Sequence, residues 1–372
     1  MSIPSLKNLE NIHIQNFQDD LIQWFKKSHR QLPWRINRDP YRIWVSEIML
    51  QQTKVDTVIP YFEKFMKSFP TIEAFAEANE DTVLKAWEGL GYYSRVRNLN
   101  TAAKEVVNIH AGKVPHTLDV LLQLKGIGPY TAGAILSIAY GVPAPAVDGN
   151  VMRVLSRILI IPDDIAKPAT RKIFETAVKQ LISHEDPSAF NQGLMELGAL
   201  ICTPTSPACL LCPVRVHCHA YHQGIEMQLP VKSKKKQPKK VQLIAGILRN
   251  EEGKILIRKR ENEGLLANLW EFPNCERPNQ YMPSHFILTD YLENTHKIVS
   301  LVQPSKLTEV KHVFTHLIWN VHVHVGELKN AVEETTHLKL VSEDEIAAYA
   351  FPVAHQKMWD SYIEMKTKVE KS

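Results

Sequence analysis

Four cysteines, Cys202, Cys209, Cys212 and Cys218, fall within 17 residues in the pattern C-x6-C-x2-C-x5-C. Thiolates at that density read as the ligands of one ion or cluster. The spacing is too irregular for a paired CxxC zinc ribbon, yet on spacing alone a structural zinc stays open beside a cluster. Cys275 stands apart and is expected to be a buried thiol. Four clustered cysteines out of five do not make a secreted disulfide framework.

The cluster closes a 95-residue stretch that opens with LKGIGPYTAGAI at Leu124. Gly126-Ile127-Gly128-Pro129 cannot continue a helix, because two glycines favour a turn and Pro129 lacks an N–H. Leu121, Leu122 and Leu124 before the turn, and Ile135, Leu136 and Ile138 after it, predict a short helix on each side. The product is a helix–hairpin–helix. Free N–H groups at the start of its second helix can hold a DNA phosphate. AVDGNVMRVLSR follows, with Asp148 and Asn150 opening a helix that contains Val151, Val154 and Leu155. Asp148 suits an N-cap, and a carboxylate there can also face a cleft.

Upstream, Ile14, Phe17, Leu21, Trp24 and Phe25 predict an amphipathic helix over 14–28. HRQLPWRINRDPYRIWVSE then interleaves Arg30, Arg35, Arg38 and Arg42 with Trp34, Tyr41 and Trp44, a mixture suited to phosphates and bases, with Trp44 expected in the core. Val45, Ile48 and Met49 share a helical face and place Glu47 beside buried positions. Burial raises a carboxyl pKa, which is what a general acid near neutral pH requires. Gln51-Gln52-Thr53 could reach base edges, and residues 54–110 continue as helices. WEGLGYYSRVR (87–97) reads either as a loop that presses Leu90 or Tyr92 against DNA or as a packed aromatic turn. Two more helices are expected over 162–200.

The chain has 372 residues, room for two or three domains. Residues 1–240 carry 29 Lys+Arg against 22 Asp+Glu, and residues 241–372 carry 15 against 18, so the basic first part is the candidate nucleic-acid binder. The expected boundaries are a helical domain over 1–223, a solvated basic linker over 224–240 with six lysines between 232 and 240, and an α+β domain over 241–372. In that last part VQLIAGIL and KILIRKR predict a hairpin, LLANLWEFPN, KHVFTHLIWNVHVHV and HLKLVS predict strands, and helices are expected near 343–350 and 354–367. MSIPSLKNLENIHIQNF holds no apolar run, and the longest uncharged run suits a core helix, so a soluble intracellular protein without membrane contact is expected.

In combination LPWR, VSEIMLQQT, WEGLGYYSR, LKGIGPYTAG, AVDGNVMRVLSR, the cysteines, LLANLWEFP and HVFTH resemble MutY-type adenine DNA glycosylases of the helix–hairpin–helix superfamily, over about residues 14–365. The resemblance implies an all-α catalytic domain with one 4Fe–4S cluster on Cys202, Cys209, Cys212 and Cys218, then a Nudix-like α+β domain. It implies monofunctional hydrolysis of adenine from duplex DNA at A:8-oxoguanine or A:G mispairs. Glu47 would be the acid at adenine and Asp148 the carboxylate facing the sugar cation, supported by Tyr130 and Asn150. Arg30, Trp34, Arg35, Leu50 and Gln192 would line the adenine pocket. Gln52, Thr53, Leu90, Gly91 and Tyr92 would meet the opposite base and the opened stack, with Lys125, Gly126 and Gly128 on the backbone. Phe314, Thr315 and His316 would probe 8-oxoguanine.

Two positions depart from the family pattern: Thr315 stands where serine is common, and Gln192 where some members carry Glu. The Arg-Glu and Glu-Glu pairs of a Nudix catalytic helix do not follow LWEFP, so recognition without nucleotide hydrolysis is expected. An endonuclease III-like lyase would need a lysine amine where Tyr130 stands, and a lesion binder without chemistry would not need both carboxylates. A monomer in a bacterial cytoplasm, associated with the nucleoid, completes the expectation.

Overall fold

Apolar spacing and capping residues account for the helices of the first part. In the computed structural model, which describes residues 4–234, 237–278 and 281–370, the Ile14–Ser28 helix buries Phe17, Leu21 and Phe25 along one face. Asp39, Asp148 and Asp186 each accept a backbone N–H from the first turn of the helix they open, respectively Pro40–Leu50, Gly149–Leu159 and Pro187–Leu200. Proline at the first position of two of these helices removes an N–H that would have no partner within the helix. Phe17, Leu21, Val154, Leu155, Phe174 and Leu194 share one core, and Ile43, Ala134, Ile138 and Ala146 a smaller one. Burying a Phe or Leu of this kind stabilises by about 1.5–3 kcal/mol.

The hairpin forms as its sequence predicts. Leu118–Gln123 and Pro129–Tyr140 are helical, Gly126 lies at φ +83°, and Gly128 opens the second helix without a side-chain cap. Gly133 has a different function. A Cβ there would lie 1.9 Å from the Pro145 carbonyl oxygen, so the Pro129–Tyr140 helix packs in backbone contact against the segment that leads to Asp148. Among the described residues no helix is long and apolar enough to cross a membrane.

The chain divides into two compact units whose border differs from the sequence expectation. One runs to Glu77 and resumes at Asn98, ending at the lysine run; the other joins Ala78–Arg97 to the residues beyond that run. Side chains explain why 78–97 goes with the second part. Glu88 accepts the Phe351 N–H at 2.8 Å, Lys85 donates to the Tyr349 carbonyl at 3.0 Å, and Asn268 bonds the Glu80 carboxylate at 2.9 and 3.0 Å. Lys259 pairs with Asp81 at 2.7 Å, and Arg97 donates to the Asn262 carbonyl at 2.9 Å.

Part of the solvated linker expected over 224–240 is tied to the chain around it. Arg157 donates to the Glu226 and Leu229 carbonyls, Leu229 is buried, the Ile165 N–H donates to the Val231 carbonyl, and Lys239 and Lys240 begin a strand. The composition concealed this, because backbone groups make those bonds whatever the side chains are. Lys235 and Lys236 lie outside the described residues.

In the second unit the Lys239–Arg249 strand runs parallel to Leu317–Leu328 and turns back antiparallel into Ile255–Lys259. Alternate residues of the long strand face opposite ways. Ala245 and Ile247 join Val321, Val323 and Met358 on one face, while Ile244 and Leu248 join Leu288 and Leu292 of the Ser284–His296 helix on the other. KHVFTHLIWNVHVHV is two strands, Thr308–Val313 and Leu317–Leu328, paired about a turn at 314–316. LLANLWEFPN yields the two-residue strand Trp270–Glu271 and the first residue of the Asn274–Glu276 strand. Residues Glu345–Ala348 are a 3-10 turn, followed by the Val353–Glu370 helix. Cys275 is half-buried, not buried, because its three-residue strand lies at the margin of a core cluster.

Candidate active site

Glu47 lies near the end of the Pro40–Leu50 helix, within the run Ile43–Met49 that is buried all round, and Ile43 stands one turn before it. Its carboxyl oxygen accepts the Tyr130 hydroxyl at 2.6 Å. Burial raises the Glu47 carboxyl to about 7, and the Asp148 carboxylate adds to the rise, while Tyr130 and Arg35 hold it back. A carboxyl at that value is part protonated near neutral pH.

Asp148 is held differently. One oxygen accepts the Val151 N–H at 2.7 Å as the helix cap, and the other accepts the Asn150 amide at 2.9 Å. Burial pushes its carboxyl above the usual range, and these two donors oppose the rise. Two carboxyls in one site therefore meet different environments, the arrangement that separates an acid from a charge stabiliser.

Both open on one cavity of about 550 Å³. Its wall brings together Glu47, Asp148, Tyr130 and Asn150 with Arg30, Trp34, Arg35, Leu50, Gln192, Gln52, Thr53 and Gly128. These were separate motifs along 163 residues, from Arg30 to Gln192. Trp34 packs edge-on to Phe62 at 5.4 Å, and Gln52 takes a left-handed φ of +59° where the chain leaves its helix. Arg35 donates to the Gln192 side-chain oxygen at 3.0 Å, so the neutral amide at 192 is tied to the arginine. Lys125 and Gly126 do not line the cavity; both are exposed on the hairpin.

The aromatic turn lies in the second unit. Trp87 and Tyr93 are buried, and so is Leu90, which leaves Tyr92 as its exposed aromatic residue. Tyr92 has φ +48° and Gly91 φ +72°. Arg95 sits over the Trp87 and Tyr92 rings and donates to the Leu90 and Gly91 carbonyls. Phe314, Thr315 and His316 form the tip of the hairpin, with Phe314 edge-on to Trp319 at 4.8 Å. The Tyr92 and Thr315 hydroxyls lie 2.6 Å apart, so this unit holds the turn and the tip together.

The four cysteines border a second, smaller cavity with Val154, Ile158, Leu197 and Val214. None is in a disulfide, and burial raises Cys212 to about 12 and Cys218 to about 11. Among the described residues, no three His, Cys, Asp or Glu side chains gather around a point for one metal ion. The Arg157 guanidinium lies 3.3 Å from the Cys202 sulfur. Arg153 bonds the Cys202 and Gly198 carbonyls and the Asn150 side-chain oxygen at 2.8–2.9 Å. One arginine thus ties the cysteine loop to the residue that supports Asp148.

Sequence reasoning missed Arg153 and Glu196. A signal was present in each case: an arginine within VMRVLSR and a glutamate within GLMELGAL are charges on otherwise apolar helices. Glu196 also stands four residues after Gln192, on the same helical face.

The family model described as "HhH-GPD superfamily base excision DNA repair protein" matches residues 45–180, and the NUDIX domain model matches residues 244–361. The structure of a thermostable thymine-DNA glycosylase is similar, with a TM-score of 0.51 and 28% identity over 57% of this chain and 99% of that one. Fold and site thus define the class, a helix–hairpin–helix base-excision protein with a NUDIX domain. Adenine DNA glycosylase of Rattus norvegicus is 33% identical over 94% of this chain and 78% of its own length. That of Buchnera aphidicola subsp. Baizongia pistaciae is 35% identical over 81% and 83%. The chain belongs to the adenine DNA glycosylase family.

Proposed function

We propose that this chain hydrolyses the N-glycosidic bond of adenine mispaired in duplex DNA with 8-oxoguanine or guanine, leaving an abasic site. The observation that carries this reading is the carboxyl pair in one cavity, with Glu47 raised to about 7 and Asp148 held by two donors. Adenine inside a duplex is shielded, so it must be flipped into the cavity. Protonated Glu47 then gives its proton to the departing base as the bond to the sugar carbon breaks, and the bonding electrons leave with adenine. The cationic sugar faces the Asp148 carboxylate. Water adds to the sugar carbon and returns its proton to Glu47, which restores the starting state. Tyr130 holds Glu47 in place through its hydroxyl. Its phenol carries no amine, so a Schiff-base lyase is not part of the scheme.

The hairpin at 124–128 would bind backbone phosphate. Gln52 and Thr53 would meet the opposite base, and Tyr92, on its own unit, would enter the opened stack. Phe314, Thr315 and His316 would probe the 8-oxoguanine opposite. The cysteines would hold a 4Fe–4S cluster: all four thiols border one cavity, and four thiolates are the donor set such a cluster takes. When bound, that cluster would fix the loop at 202–218 as a structural group. Through Arg153, that loop holds Asn150 and so Asp148.

The test is single-turnover cleavage of duplexes with adenine, on a labelled strand, opposite 8-oxoguanine, guanine or thymine. Breaks that need hot alkali, fastest opposite 8-oxoguanine and missing opposite thymine, support the reading. Binding without release of adenine from any duplex overturns it.

A further inference from the structure

We infer that Glu196 is a positioning residue for the glycosidic reaction: it locks Arg30 and Arg35 into one wall of the cavity and balances their charge beside Glu47. The inference rests on the proposed adenine hydrolysis and adds a residue to it. Glu196 lies on the Pro187–Leu200 helix, and its side chain is 1% exposed. A buried carboxylate is tolerated only with full compensation, and the compensation here is specific. One oxygen accepts the Arg30 backbone N–H and its Nε, both at 2.9 Å. The other accepts Arg30 Nη2 at 2.9 Å and Arg35 Nη2 at 3.0 Å.

Arg35 is then fixed from three sides, because it also donates to the Arg30 carbonyl at 3.1 Å and to Gln192 at 3.0 Å. Gln192 in turn donates to Ser188 at 3.1 Å. Ser188, Gln192 and Glu196 stand at i, i+4 and i+8 on one helix, so a single helical face sets the guanidinium plane.

The electrostatics follow from the same geometry. The arginines hold the Glu196 carboxyl down at about 2, so it stays an anion at any working pH. Glu47 faces Tyr130, Asp148 and Arg35, and Arg171 lines the same cavity. Asp56 acts on Arg30 from the Val55–Ser68 helix. Of these groups Tyr130, through its hydrogen bond, and Arg35 favour the ionised form of Glu47, and Asp148 opposes it. With Glu196 neutral, the arginine charge acts on Glu47 without its counter-ion. Glu47 then gives up its proton at lower pH, and the acid needed for base release is lost sooner as pH rises.

The experiment compares the full chain with Glu196→Gln and Glu196→Asp, using an A:8-oxoguanine duplex under single turnover from pH 5 to 9. Binding to a duplex that carries a non-hydrolysable adenosine analogue reports that each variant folds. Glu196→Gln should bind within a few fold of the parent, release adenine about a hundredfold more slowly, and move the basic limb of its profile down by about one pH unit. Glu196→Asp keeps the charge but shortens the reach, so its limb should return toward that of the parent while its rate stays low. A limb that does not move in Glu196→Gln, or a Glu196→Asp rate equal to the parent's, overturns the inference.

A second readout does not need turnover. The melting-temperature difference between Glu47→Gln and its parent, followed against pH, reports Glu47 ionisation, and Glu196→Gln should move that curve in the same direction. If the parent chain releases no adenine, the proposed reaction fails while this thermal curve still decides whether Glu196 acts on Glu47.

Discussion

At the residue scale, Glu47 and Asp148 line one cavity but are held by different partners, Glu47 by a phenol and Asp148 by two N–H donors. Glu47→Gln keeps shape and hydrogen-bonding reach but removes the proton donor. Adenine release should fall by about 10²–10⁴-fold, with binding to a mispaired duplex retained, as single-turnover assay beside a binding titration would register. In the parent chain the rate should decline as pH rises through about 7, where the Glu47 carboxyl ionises. The same ionisation bears on stability. The folded Glu47 value lies above its unfolded value of 4.5, so its contribution is fully present below pH 4.5 and is lost as pH rises through about 7. Glu47→Gln should therefore stabilise the fold at pH 8, by about 3 kcal/mol, and leave it nearly unchanged at pH 4. Thermal melts at the two pH values would reveal it, and a smaller gain at pH 8 than at pH 4 would contradict the burial argument.

At the scale of elements, the site depends on how closely two backbones approach. The Pro129–Tyr140 helix carries Tyr130, and the segment Pro145–Val147 delivers Asp148 to its cap position. Their contact at Gly133 leaves no room for a Cβ. Gly133→Ala should destabilise by about 1–3 kcal/mol and slow adenine release besides, since the shift would separate Tyr130 from Asp148. Denaturant melts with a parallel activity assay would resolve the two effects. This contact is a part of the site that the sequence does not announce. TAGAI looks like an ordinary small-residue helix, and only packing shows why the glycine at 133 is needed. The Asp148 cap was legible, because Asp followed by an apolar-periodic run is a local signal. Glu47 on a half-apolar helix was legible for the same reason. Its tie to Tyr130 joins residues 83 positions apart, which no local pattern reports.

At the scale of the molecule, residues 78–97 belong with the C-terminal unit. Glu80, Asp81, Lys85, Glu88 and Arg97 bond residues between Lys259 and Phe351. A chain cut in the lysine run would lose those partners. Limited proteolysis of such a chain should show cleavage within 87–93 that the full chain resists, and equal resistance in both would count against this division of units. Thr315→Val removes the hydroxyl near Tyr92 and keeps the bulk. Under the proposed reading it should reduce the preference for 8-oxoguanine over guanine by about 1 kcal/mol, a fewfold change in the ratio of release rates. An unchanged ratio would remove Thr315 from the probe.

Legible from the residues alone were the helices before the lysine run, the Asp148 cap, the hairpin turn, most of the strands after that run and the helices that carry Glu47 and Asp148, whereas the Ser284–His296 helix was not. Those features are local, fixed by apolar spacing, by glycine and proline conformations and by side chains that satisfy nearby N–H groups. Tertiary structure decided the rest. It drew Arg30, Glu47, Tyr130, Asp148 and Glu196 to one cavity, moved residues 78–97 into the second unit, and ordered part of a segment whose composition reads as a mobile linker. The reason is that burial sets a carboxyl's charge and the partner of a buried polar group sets its orientation. Both depend on groups far away in the chain, which meet only when the core closes.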